Sequence, residues 1–237
     1  VHLLKKEHYP LKKTIEDAFD KCNVLVLEVD FSGEKLLQAG MLMLQKGMYQ
    51  GEDTLKDNIS EKTYQLVKDK LHSMAMDIEG FKKCKPWMMA MTFLETKMLQ
   101  LGFNPTYGID MYFLGKAEEA KKEIQGLETV EFQVGLFENF SKEEGDKFLL
   151  STILEADQME KELDKMITSW STGDVGSMEK ALTEDIEKYP ELLAFNKKLL
   201  DDRNVLMADK IISFLQTGKT YFVIVGAAHM VGKKGIV

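Results

Sequence analysis

Two histidines occupy positions where a chain carries metal-binding or catalytic groups. His229 comes four residues after the apolar run Tyr221-Phe222-Val223-Ile224-Val225, behind Gly226 and two alanines. Ligands of open α/β sheets bind at the carboxyl ends of strands, and small residues there let an ion or a substrate reach the backbone. A histidine that merely closes a loop is the plainer alternative. His2 lies in Val1-His2-Leu3-Leu4, which reads as the end of another strand. Metal ligands come in sets, so the two histidines together weigh more than either alone. His8 and His72 stand in polar surroundings and read as surface residues.

The carboxylates add to this. Glu28 and Asp30 end the run Val24-Leu25-Val26-Leu27-Glu28-Val29-Asp30 and, two residues apart on a strand, point to one face. Burying a carboxylate is costly unless it is paired, hydrogen-bonded or bound to a cation. Asp30 also makes sense as a cap of the following turn. Glu28 is harder to explain without a site. Arg203 falls on a helical stripe with Met207, Ile211 and Leu215, where a guanidinium either snorkels to water or meets a buried carboxylate or substrate. Asn204 beside it can share a polar network. Glu128 and Glu131 follow Gly126 and suit the first turn of a helix, which the helix dipole favours without any function.

Several enzyme signatures fail. There is no HExxH, no GxSxG, and Gly218-Lys219-Thr220 precedes a strand where a P-loop would follow one. The two cysteines, Cys22 and Cys84, cannot supply a thiolate zinc site. Whether they form a disulfide or two separate thiols stays open. The fifteen methionines, many between Met41 and Met98, read as core filler ahead of a substrate groove.

The elements that must position these groups form an α/β pattern. Val24–Val29 and Tyr221–Val225 read as buried strands of one central sheet drawn from both chain ends. Pro10–Asn23 has helical periodicity. Residues 34–217 read as a mostly helical insertion forming a lid or wall. Within it, Ser60 starts a helix, Pro86 suits a first turn, and Tyr107-Gly108 opens a segment to Lys122. Ile124–Thr129 suits a short strand. Ser141 with Glu144 forms a capping box for a helix running towards Trp170. Breaks fall at Thr172-Gly173-Asp174 and Pro190, and Glu191–Gln216 is helical. One domain over residues 1–237, cut at both ends, is the expectation.

Composition narrows the partners. With 237 residues, 44% hydrophobic, the chain can bury a core. A net charge of -8 argues against nucleic acid. No apolar run approaches the roughly 20 residues of a membrane span.

These pieces resemble the TraB/GumN/Tiki family. Gly226-Ala227-Ala228-His229 matches its second GxxH motif, and Val1-His2 matches the end of the first, whose glycine would precede residue 1. Val26–Asp30, Tyr107–Leu114, Gly126–Thr129 and Asp202-Arg203-Asn204 with Met207 resemble it in order and spacing, so the likeness spans nearly the whole chain. It implies a fold similar to the erythromycin-esterase/ChaN-like superfamily, in which two related halves each bring a strand-end histidine to one site. It also implies a metal-dependent hydrolase, a metallopeptidase of the Tiki type acting on a peptide or protein, in an extracytoplasmic setting. The cofactor implied is a divalent ion, manganese or cobalt, with zinc a third option. On this reading His2, His229 and Glu28 surround the ion, with Glu28 a ligand or general base and Glu128 the second carboxylate candidate. Arg203 would stabilise an oxyanion or hold a substrate carboxylate, assisted by Asn204 and Tyr112. A non-catalytic protein that sequesters a peptide signal, and a haem or metal carrier, are the alternatives.

Overall fold

Strand β1 (Val24–Val29) is buried along its whole length, as a run apolar at every position but Glu28 requires. The computed structural model describes residues 2–156, 158–188 and 197–237. In it β1 is the centre of a three-stranded sheet, with β2 (Glu123–Glu128) on one side and β3 (Tyr221–Val223) on the other. Both pairings are parallel. Val24 is level with Glu123 and with Tyr221, and Val29 is level with Glu128. The fold class is therefore α/β, and the two expected strands share one sheet. β2 comes from the middle of the chain, so the sheet is not drawn from the two ends alone.

Cα proximity divides the chain into two compact units. The first holds the sheet and comprises Val1–Gln38, Gly102–Val130 and Asp164–Val237. Its helices include α1 (Lys13–Lys21), all of α5 (Ile109–Glu119) and the pair that frames β3. The second comprises Ala39–Leu101 and Glu131–Leu163. It contains α2 (Lys35–Gly47) beyond its first turn, α3 (Glu61–Ser73), α4 (Pro86–Gln100), α6 (Val130–Glu138) and α7 (Lys142–Glu155). Of the helices that follow in the chain, α8 (Met159–Thr172) passes from the second unit into the first at Asp164, and α9 (Val175–Lys188), α10 (Asp202–Phe214) and the short α11 (Ala227–Met230) belong to the first. The stretch 34–217 thus contributes to both units.

Local signals account for the starts of the helices. Ser60 Oγ accepts from Thr63 N, and Ser141 and Glu144 close a reciprocal capping box. Pro86 occupies the first turn of α4. The helix begun at Ser141 stops at Glu155, short of Trp170, and a separate helix starts at Met159. Gly173, at φ +78°, ends that one. The segment 191–196 of the expected helix, and the break at Pro190, lie outside the described residues.

Each face of β1 has its own helical cover. Val24 and Val26 pack with Leu127, Met207 and Phe214, so α10 covers that face. On the other face Phe222, level with Leu25, meets the rings of Phe19 and Phe113 from α1 and α5. Leu215 departs from the expected stripe: α10 ends at Phe214, which takes the buried place, and Leu215 is 77% exposed. In the second unit Val67, Leu71, Met89, Phe93 and Leu149 form a core of their own. The methionines divide, with Met89 fully buried and Met41 63% exposed. Cys22 and Cys84 are both free and buried.

Candidate functional site

Because all three strands are parallel, their carboxyl ends meet on one edge of the sheet. That edge presents Glu28 from β1, Glu128 from β2 and, just past β3, Gly226 to His229. Glu28 shares the face of Val24 and Val26, so it points to the helix that covers them, α10. Arg203, in the first turn of that helix, meets it. Nη2 donates to Glu28 Oε2 at 2.6 Å and to Glu128 Oε2 at 2.7 Å. Nε donates to Glu128 Oε1 at 2.9 Å, and Nη1 to the Leu199 carbonyl at 3.0 Å. The guanidinium side chain is 6% exposed. The other Glu28 oxygen, Oε1, accepts the Gly226 N–H at 2.6 Å. Burial pushes the Glu28 carboxyl up, but the Gly226 N–H, the two imidazoles and Arg203 outweigh it and hold it below the usual range.

The histidines close the arrangement. His229 is buried and its Nδ1 lies 2.5 Å from Asn204 Oδ1. Asn204 Nδ2 donates to the Lys234 carbonyl at 2.7 Å, which orients the amide so that its oxygen faces the ring. The Nδ1 of His229 therefore carries the proton and Nε2 the lone pair. His2 Nδ1 lies 3.0 Å from Asp110 Oδ2, an acceptor, and here too Nε2 is left to face inward. Both Nε2 atoms stand 3.8 Å from the same oxygen, Glu28 Oε1, so they can be no further apart than twice that distance. Gly226 marks the centre. A Cβ built there would sit 3.2 Å from Glu28 Oε1, 3.4 Å from His2 Nε2 and 3.5 Å from His229 Cδ2. The side chain of His2 is 60% exposed and that of His229 is 4% exposed. Burial lowers the His229 pKa, whereas the hydrogen bond to Asp110 raises that of His2.

A strand-end GxxH histidine, a second histidine beside it and a buried Glu–Arg–Glu cluster are now in one place. The TraB/PrgY/gumN family model matches residues 1–237. The chain belongs to that family. No curated protein and no solved structure matches it.

In this TraB/PrgY/gumN chain, His2, Glu28, Glu128, Arg203, Asn204 and His229 all come together. Tyr112 does not: its hydroxyl donates to Glu16 Oε1 at 2.8 Å and its ring packs on Tyr9. Two expected roles change. Arg203 spends its donors on Glu28, Glu128 and the Leu199 carbonyl, so it organises the carboxylates and has little left for an oxyanion or a substrate. Asn204 spends both ends of its amide on His229 and Lys234, so it orients the imidazole. Asp30 takes the turn-capping role, accepting Ser32 N and pairing with Lys35. Glu131 is a first-turn acid of α6. His72 is exposed on α3, and His8 bonds locally with Lys5.

Asp110 is the residue that sequence reasoning passed over. It sits inside the family-like segment Tyr107–Leu114, where a first-turn acid looks like ordinary dipole compensation. Among the described residues, no group of three or more His, Cys, Asp or Glu stands close enough together as placed to hold a metal ion. Beside the cluster, a largely apolar cavity of about 340 Å³ lies along β3, with Ile109, Val225, Ala227 and Met230 in its lining. No described helix is long and apolar enough to cross a membrane.

Proposed function

We propose that the chain is a metal-dependent hydrolase, with a peptide bond as its expected target. The observation that carries this is the convergence of His2 Nε2, His229 Nε2 and Glu28 Oε1 around Gly226. The donor set fits a divalent ion of borderline hardness: two neutral imidazole nitrogens and one carboxylate oxygen. Each imidazole has its other nitrogen bonded to an oxygen, as metal-ligating histidines do. Two ligand atoms about 2.1 Å from one tetrahedral ion stand roughly 3.4 Å apart. Each observed imidazole–carboxylate separation, 3.8 Å, is wider by a few tenths of an ångström, so both rings and the carboxylate would draw in on binding. Bound there, such an ion would supply Lewis acidity to a water and to a scissile carbonyl.

The protein's own groups supply the rest. Arg203 and the Gly226 N–H keep the Glu28 carboxylate ionised and fixed in place, ready to hold an ion or accept a proton. Gly226 keeps the centre open. The test is metal analysis of the purified protein, joined to cleavage of a peptide library with and without chelator and with Mn2+, Co2+ or Zn2+ restored. Chelator-sensitive cleavage supports the proposal. Peptide binding without cleavage would replace it with a sequestering role, and a Soret band on adding haem would replace it with a carrier role.

A further inference from the structure

Asp110 stands second in α5, where an acid needs no function beyond the helix dipole. Two observations assign it more. Its carboxylate meets His2 Nδ1 across 108 residues of chain, with its own side chain only 13% exposed. Gly108, two residues earlier, lies so close to the His2 carbonyl that a Cβ there would collide with it. The start of α5 therefore receives both the backbone and the ring of His2.

The ring needs such a partner. A neutral imidazole in water mixes two tautomers, and in the Nε2–H form Nε2 has no lone pair to give. His229 solves this with burial and the Asn204 amide. His2, more than half exposed, has no burial to rely on. We propose that Asp110 is a positioning residue that holds His2 as the Nδ1–H tautomer and aims its Nε2 at the space beside Gly226. The proposal rests on the reading of His2 as a ligand, but its first test does not.

That test is the 15N–1H spectrum of the histidine rings in the metal-free full chain, at alkaline pH where the imidazoles are neutral. His2→Gln identifies the His2 signals. His2 Nε2 should appear unprotonated in the wild type and in Asp110→Asn, whose amide oxygen can replace the carboxylate as Asn204 does for His229. In Asp110→Ala the proton should shift towards Nε2, with the His229 signals unmoved. Asp110→Ser, too short to reach the ring yet favourable at a helix start, replaces the alanine variant if that one does not fold. An unchanged His2 tautomer in the short variant would overturn the proposal. The second readout is Mn2+ titration by calorimetry, where Asp110→Ala should bind about 10–100-fold more weakly, with Asp110→Asn in between. Equal Mn2+ affinity in wild type and Asp110→Ala would overturn the aim assigned to Nε2. If the wild type binds no Mn2+, Co2+ or Zn2+, the metal reading fails, while the tautomer still decides the role of Asp110.

Discussion

Replacing Arg203 by lysine keeps the positive charge and removes the planar fork, so it isolates what the fork does. Arg203 reaches Glu28 at 2.6 Å, Glu128 at 2.7 and 2.9 Å, and the Leu199 carbonyl at 3.0 Å. A lysine ammonium is one point on a flexible stem. It can stand between the two carboxylates, but it then abandons the Nε and Nη1 bonds. Hydrogen bonds involving charged groups contribute roughly 1.5–3 kcal/mol each. The side chains of Arg203, Glu28 and Glu128 are 6%, 9% and 5% exposed, so solvent screening gives little relief. Two lost bonds therefore bound the effect at about 3–6 kcal/mol, and water entering the gap recovers part of it. The expected loss is about 3 kcal/mol, the lower end of the range for breaking a buried pair. At about 2–4 °C per kcal/mol, the melting temperature falls by roughly 6–12 °C. Urea denaturation followed by tryptophan fluorescence measures this in the right unit. The chain has two tryptophans, and in a Trp87→Phe background only Trp170, which belongs to the sheet-bearing unit, remains. Trp87 Nε1 has no hydrogen-bond partner among the described residues, so the background change removes none. A loss below about 1 kcal/mol would refute the assignment of Arg203 as the clamp on both carboxylates.

Further outcomes follow from the same geometry. Gly226→Ala places a methyl 3.2–3.5 Å from Glu28, His2 and His229, at a backbone conformation (φ -56°, ψ 142°) that any residue adopts. It should weaken Mn2+ binding at least about 10-fold, read by calorimetry, while the melting temperature stays within a few degrees; unchanged affinity would place the ion elsewhere. Asn204→Ala strips the acceptor from His229 Nδ1 and the donor from the Lys234 carbonyl, and should cost about 1–3 kcal/mol in urea denaturation. Asp174, at the start of α9, accepts from the backbone and hydroxyl of Ser177, which hold its carboxyl below the ordinary value of about 3.9. Its folded pKa is depressed, so its contribution is intact above about pH 3.9 and is lost as pH falls through the folded value. Melting temperatures of wild type and Asp174→Ala should therefore differ at neutral pH and converge in acid; a constant gap would contradict this.

Much of this protein was legible in its residues. The apolar runs at Val24–Val29 and Tyr221–Val225 marked two strands, and Ser60, Pro86 and Ser141 marked helix starts. Such signals act over a few residues of chain, through side-chain period and capping bonds. Glu28 and Arg203 stood out as charges in apolar settings, and the two GxxH-type histidines carried the family likeness. What only the tertiary structure decided was who meets whom. Arg203 meets Glu28 across 175 residues and Glu128 across 75, and that double contact makes it a clamp on two acids. Asn204 became the support of His229 because α10 lies beside the turn after β3. Asp110, a first-turn acid of α5, gains its partner only because the fold brings His2 against it from 108 residues away. Tyr112 was lost to Glu16 on the neighbouring helix α1. Residue type and local period fix what a side chain can do, but its hydrogen-bond partner depends on which elements pack together. That packing is set by burial summed over the whole sheet and its covering helices, and no local window of sequence contains it.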